Sequence, residues 1–475
     1  MVKSILYAAG EAQPFASTGG LGDVMGALPA TMKKNHPDCD VRAVMPLYSK
    51  ISDNYRKQMS FLRWITVRLG WRTIYCGIFM LEYNGVKWYF IDNEYYFKRP
   101  SLYGDMDDGE KFAYFSTCVL EIMRALDFYP DILHCNDWQT ALSAILLKQK
   151  YNKIPEYSNT RVIFTIHNIQ YQGVYGMEML GDTFSLSVND RGIVDYNGAI
   201  NLTKGAIVCS DKITTVSPQY SKEIQTPEFS YGLHYMTQMY SYKLTGIVNG
   251  IDYEAWNPET DKSIPANYSS RNLKNKSVCK EELQKRLGLD TDPKAPIIAM
   301  ITRLVEPKGV DLVKCIIDEL MKDRVQFVLL GTGDYDYECF FNSLNGKYPG
   351  NYKAVINFDR DLSRQIYAGA DLFLMPSRSE ACGLAQMIAS RYGTIPVIHE
   401  TGGLYDTIKP YKIGGNGFTF KNYNAHDMLY VLREAEELYM DEKKWNDLQR
   451  KAMNTDFTWD KSAEEYFVLY NSIGY

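Results

Sequence analysis

The sequence predicts an α/β protein built as two domains, each around a parallel β-sheet. Three observations carry that expectation. Short β-rich apolar runs alternate with helix-length segments along the whole chain. More than ten such runs would make a very wide single sheet, so two sheets are expected. A polar, turn-rich break near residue 245 separates one series of runs from the next.

In the first half the predicted strands are Ser4–Ala8, Val41–Met45, Lys87–Ile91, Asp131–His134, Arg161–Ile166 and Lys212–Val216. Each is too short for a helix and is flanked by Gly, Pro, Asn or Asp. The opening MVKSILYAAGE is read as the first of them: its apolar run is too short for a secretory leader, and Glu11 follows at once. Strands separated by helix-length segments need crossover connections, which makes neighbours parallel. The break contains the Asn249-Gly250 turn and a polar stretch, Trp256–Ser270, with Pro258 and Pro265. A predicted helix over Lys280–Leu289 then leads into Pro296–Ile301, Val325–Leu330, Ala354–Asn357, Asp371–Met375 and Ile395–Ile398. Domains are accordingly expected over 1–245 and 246–456. The spacing of Ala463, Tyr466, Phe467 and Tyr470 predicts a last helix within 457–475, which taken alone is an ordinary end to the second domain.

The 475 residues are enough for two or three domains at about 150 each. A net charge of −5 leaves no basic excess to neutralise a nucleic-acid backbone, which excludes that class of partner. The nine cysteines are odd in number and scattered, without zinc-site spacing or a disulfide framework, so a reduced, cytoplasmic protein is expected. No apolar run approaches the ~20 residues of a membrane helix.

Ligands of open α/β sheets bind beyond the carboxyl ends of the strands, so chemistry is sought there. After the first strand comes STGGLGDV, where Gly19, Gly20 and Gly22 let the backbone approach an anion at a helix N-terminus. A tight turn accounts for it equally well, and it matches neither dinucleotide-binding nor P-loop patterns. After Pro296–Ile301 comes TRLVEPKG, whose Arg303 and Lys308 could hold a diphosphate; two solvated charges are the alternative. PSRSEACGLAQ follows Asp371–Met375. Glu380 lies there as an acceptor for sugar hydroxyls, and Cys382, Gly383 and Leu384 open a helix able to seat a phosphate. HETGGLYDT, with Thr401 and Gly402, makes a fourth strand-end loop. In the first half HCNDWQ and HNIQYQG both follow strands. His134 reads as a satisfied core histidine, whereas Asp137 and His167 sit at the sheet top. Metal-ligand spacing is absent and no cation requirement is implied.

Taken in order, these segments resemble the bacterial glycogen synthase and plant starch synthase family. The likeness also runs through FIDNEYYFKR, LYGDMDDGEKFAYFS, TTVSPQY, YGL, VNGID, GTGD and FTWDKSAEEY, and so covers nearly the whole chain. It implies a GT-B fold: two Rossmann-like domains, a deep inter-domain cleft, and a last helix that crosses back to the first domain. It implies metal-independent, configuration-retaining transfer, with no resident cofactor, from ADP-glucose to the non-reducing 4-OH of an α-1,4-glucan or maltooligosaccharide. By this likeness Arg303 and Lys308 hold the diphosphate, and Glu380 and His167 bind the donor glucose. Gly19, Gly20, Thr401, Gly402 and the Cys382–Leu384 amides lie on the donor side. Asp137 and Asn249 line the centre, and Tyr95 and Tyr96 contact glucan. The chain departs from the family pattern at Ser17, where relatives carry a lysine that touches the donor phosphates, and at Ala381 in EACGL, Asn136 in HCNDW and Gly10-Glu11. The Ser17 departure keeps two other readings open: UDP-glucose as donor, and a glucan- or nucleotide-binding regulatory paralogue.

Overall fold

The computed structural model describes residues 1–473. They form two compact units, Met1–Gly250 with the segment from Trp459 onward, and Ile251–Thr458.

In the first unit the strands are β1 (Ser4–Ala8), β2 (Asp40–Pro46), β3 (Ser60–Leu69), β4 (Arg72–Tyr83), β5 (Val86–Asp92), β6 (Ile132–Asn136) and β7 (Arg161–Ile166). Three short strands follow, β8 (Val174–Tyr175), β9 (Asp195–Tyr196) and β10 (Ala199–Asn201), and then β11 (Lys212–Thr215) and β12 (Leu244–Gly246). The main sheet has the order β12-β11-β7-β6-β1-β2-β5-β4-β3, while β8, β10 and β9 pair separately. Ile5, Leu6, Tyr7 and Ala8 of β1 are all buried, the continuous burial expected where both faces of a parallel sheet are covered.

This sheet is not wholly parallel, contrary to the sequence expectation. β3 and β4 form an antiparallel hairpin, and β4 pairs antiparallel with β5. β3 is the outer edge, and its Phe61, Leu62 and Trp64 are exposed. Apolar residues facing water spoil the in–out alternation by which a strand is recognised.

The helix Trp459–Asn471 packs within the first unit. Its Tyr470 hydroxyl lies 2.7 Å from His134 Nδ1 and 3.2 Å from the Tyr7 hydroxyl. The Val2 amide donates to Asn471 Oδ1 at 2.8 Å, and the Phe467 ring stacks on His36. These contacts seat the end of the chain against its beginning.

The second unit contains β13 (Ile297–Ile301), β14 (Gln326–Leu330), β15 (Tyr352–Val355), β16 (Leu372–Met375), β17 (Ile395–His399) and β18 (Phe418–Phe420). All neighbours are parallel, in the order β15-β14-β13-β16-β17-β18. The helix Val310–Leu320 buries Val313, Ile316 and Ile317 in the same core cluster as Ile298 and Phe327; each such fully buried side chain stabilises by roughly 1.5–3 kcal/mol. The helix predicted at Lys280–Leu289 runs instead over Lys274–Leu287 and stops at Gly288, which takes the left-handed φ of +69°.

Strand order reverses at β1 in the first sheet, between β2 and β6, and at β13 in the second, between β14 and β16. Such switch points splay the loops on either side and open a crevice at the strand ends. The segments singled out in the sequence leave β1, β6 and β7 in the first sheet and β13, β16 and β17 in the second. Among the described residues no helix is long and apolar enough to cross a membrane, and no cysteine is in a disulfide.

Candidate functional site

In the first unit three loops leave the carboxyl ends of β1, β6 and β7. Asp137 follows β6 with a φ of +55°, a conformation that costs energy for a residue with a side chain. It is held by its own amide donating to the Thr165 carbonyl at 2.9 Å, and its Oδ1 accepts the His167 amide at 2.7 Å. Asp137 and His167 are thus brought together. Burial pushes the Asp137 carboxyl up to about 7; the His167 and Asn168 amides pull it down, and the charge of Glu11 pushes it further up. Burial has the opposite effect on His167 and lowers its imidazole to about 3, so the ring is neutral at physiological pH. His134 is fully buried and hydrogen-bonded to Tyr470 and to Thr165 Oγ1, at 2.6 Å, a packed core histidine as expected.

The loop after β1 is organised by Glu11. Its carboxylate accepts the Thr18 amide and hydroxyl, both at 2.7 Å, and the Gly22 amide at 3.1 Å. A protein carboxylate therefore already occupies part of the helix N-terminus that the Gly19-Gly20 pattern offered to an anion. Gly19 caps the helix Gly20–Asn35, and Ser17 Oγ accepts from Gln13 Nε2 at 2.7 Å. Sequence reasoning gave Glu11 no role. The signal was available, because Glu11 stands just beyond a strand end with a charge that has to be satisfied. Asn249, beyond β12, is buried, and its Oδ1 has no hydrogen-bond partner among the described residues.

Tyr95 and Tyr96 are adjacent but unlike. Tyr95 is 71% exposed and Tyr96 is 2% exposed. Tyr96 stacks on Tyr114, and its hydroxyl donates to Glu110 at 2.6 Å, so its ring faces are not available to a sugar. Of the predicted pair, only Tyr95 presents a ring to solvent. On a short helix, neighbours about 100° apart point one outward and one inward.

In the second unit the loops after β13, β16 and β17 interlock. Lys308 Nζ lies 2.6 Å from Glu380 Oε2, which also accepts from Ser377 Oγ at 3.1 Å. The Arg378 amide donates to the Pro307 carbonyl at 3.0 Å. Arg303, on the same loop as Lys308, is exposed and makes no ion pair among the described residues. Gly402 has a φ of +42°, and a Cβ there would overlap the Glu380 carbonyl oxygen, so only glycine lets the two loops meet. The Gly403 amide donates to that carbonyl at 3.2 Å, and Thr401 caps the short helix that follows. Gln386 Nε2 donates to the carbonyls of Cys382 and Gly383, at 3.1 and 2.9 Å, and to Thr407 Oγ1, fixing the turn that ends at Leu384. Cys382 is buried as a small packed thiol. This arrangement sets a cation beside a carboxylate at a switch point, with backbone amides nearby. In chemical terms a cation and backbone amides can hold a phosphate, and a carboxylate can accept hydrogen bonds from hydroxyls. No group of three or more His, Cys, Asp or Glu among the described residues is placed to hold a metal ion.

The chain resembles known proteins along its whole length. Residues 4–239 match the family model described as the starch synthase catalytic domain, and 280–454 match that of glycosyl transferases group 1. The chain is 48% identical over 475 residues to a glycogen synthase of Alkaliphilus metalliredigens, covering 99% of this chain and 100% of that protein. It is 48% identical over 477 residues to a glycogen synthase of Clostridium acetobutylicum, covering 99% of each. The solved catalytic domain of starch synthase IV from Arabidopsis thaliana, bound to ADP and acarbose, superposes with a TM-score of 0.90 at 35% identity over 99% of both chains. A sucrose-phosphate synthase from Thermosynechococcus elongatus, at 14% identity and a TM-score of 0.62, shares the fold alone. With both halves matched and relatives near half-identical from end to end, the chain belongs to the glycogen synthase and starch synthase family of glycosyltransferases.

Proposed function

We propose that this glucosyltransferase extends α-1,4-glucan at the non-reducing end from ADP-glucose, with retention of configuration. The observation that carries the reading is the Lys308–Glu380 pair, 2.6 Å apart on the loops after β13 and β16. A cation for the diphosphate and a carboxylate for sugar hydroxyls stand side by side at a strand-order switch. Arg303, with no competing carboxylate among the described residues, adds a second charge for the diphosphate. Asp137, Asn249 and the neutral His167 serve as hydrogen-bond partners for the donor glucose. Gly19, Gly20, Thr401, Gly402 and the Cys382–Leu384 turn supply backbone to the donor, and Tyr95 supplies an aromatic face to the acceptor. In the reaction the bond from C1 to the diphosphate oxygen breaks, and the acceptor 4-oxygen bonds to C1 on the same face. The acceptor proton passes to the departing phosphate. The protein then acts by positioning the reactants and stabilising charge, without a covalent intermediate or a metal ion. A cytoplasmic location belongs to the same reading and is supported by nine cysteines, none of them in a disulfide.

The test is chain extension of a maltooligosaccharide by purified protein supplied with ADP-glucose or with UDP-glucose. Extension with ADP-glucose is expected. Extension with UDP-glucose alone reassigns the donor. No extension with either, alongside normal glucan binding, replaces the reading with that of a binding paralogue.

A further inference from the structure

Asn136, the last residue of β6, is 1% exposed. Its Nδ2 donates to the Ala8 carbonyl at 3.1 Å and faces the His134 carbonyl at 3.4 Å. Those two acceptors determine which end of the amide is which. Turned over, Oδ1 would meet two carbonyl oxygens with no proton between them. Oδ1 therefore faces His167, 2.9 Å from Nε2. An amide oxygen only accepts, so the proton of the His167 ring sits on Nε2. A neutral imidazole carries one N–H, which leaves Nδ1 as an acceptor. Among the described residues Nδ1 makes no hydrogen bond to protein. The nearby ionisable groups leave this assignment intact: Asp137 takes the His167 amide and not the ring, and His134 is occupied by Tyr470 and Thr165.

We propose that Asn136 is a positioning residue that locks His167 in the Nε2–H tautomer, so that Nδ1 accepts a hydrogen bond from a hydroxyl of the donor sugar. The inference rests on the reading of His167 as a donor-glucose contact. An imidazole beside His167 can donate or accept as its own tautomer changes, whereas an amide pinned by two carbonyls cannot.

The tautomer is read directly by NMR of the full chain labelled with ¹⁵N-histidine. Only six histidines are present, and the His167 signals are identified by their loss in His167→Gln. Nε2 protonated and Nδ1 bare is the expected result; Nδ1–H in the wild type overturns the proposal without need of any variant at position 136. Kinetics give the second arm. Asn136→Ala should lower kcat/KM for the donor about ten- to a hundredfold, and should cause no further loss in a His167→Ala background. An equal further loss in the His167→Ala background would mean that Asn136 does not act through the ring, and would sink the proposal. Should His167→Ala prove as active as wild type while the NMR result stands, the donor-contact reading of His167 fails and the tautomer assignment survives.

Discussion

Glu380→Gln separates nucleotide binding from turnover. The Lys308 ammonium and the Glu380 carboxylate, with side chains 22% and 13% exposed, are 2.6 Å apart. Two unit charges at that distance attract by about 1.6 kcal/mol at the dielectric of water and by about 6 kcal/mol at an effective constant of 20. Desolvation and side-chain ordering offset most of this, leaving about 1–1.5 kcal/mol for a pair this accessible. A diphosphate that recruits Lys308 has to compete with that contact. The glutamine amide preserves the shape of the side chain and removes the competing charge. ADP, which has no glucose to contact position 380, should then bind about five- to tenfold more tightly to the variant. Turnover should move the other way, because a carboxylate acceptor for a sugar hydroxyl is worth about 1.5–3 kcal/mol and its loss lowers kcat about ten- to a hundredfold. Calorimetric titration with ADP and initial rates of glucan extension measure the two effects. Weaker ADP binding by Glu380→Gln would refute the argument, since it would mean that Glu380 supports Lys308 in the bound state and does not compete for it.

Four further outcomes are expected. Gly402→Ala, which forces a Cβ into the Glu380 carbonyl at a positive φ, should abolish most transfer and lower the melting temperature; a variant with wild-type rates would remove that loop from the site. Tyr95→Ala should raise the acceptor KM with little change in stability, whereas Tyr96→Ala should cost about 3–5 kcal/mol of stability as a core truncation, measured by denaturant unfolding. His134 remains neutral in the fold down to about pH 3, while the unfolded chain protonates it near 6.5, so its contribution to stability is lost as pH falls below 6.5. Relative to wild type, His134→Gln should therefore gain about 2 kcal/mol between pH 7 and pH 5, and a pH-independent difference would contradict this. Ser17→Lys adds a charge beside the proposed phosphate position and should tighten the donor without altering acceptor preference; lowered activity would show that the Gln13–Ser17 contact matters more than the missing charge.

The alternation of short apolar runs with helix-length segments was enough to locate Arg161–Ile166 residue for residue, and the neighbouring parallel strands to within a few positions. Burial of both faces forces continuous apolar runs, and crossover helices need long spacers, so both signals lie along the chain. For the same reason the strand-end loops with Arg303, Lys308, Glu380, Asp137 and His167 were legible in the chain alone. The exposed hairpin Ser60–Tyr83 was not, because an edge strand with Trp64 in water lacks the pattern that burial imprints. Partnership was hidden as well. The spacing of Tyr466 and Tyr470 declares an amphipathic helix but not the surface it covers, which is His134 and Tyr7 of the first unit. Nor does the sequence distinguish Tyr95 from Tyr96, or show that Glu11 fills the turn at Thr18 and that Asn136 faces His167. Periodicity records how much of each residue is buried. Which polar group meets which depends on loops that come together only when distant strands pair, and so the tertiary structure alone decided it.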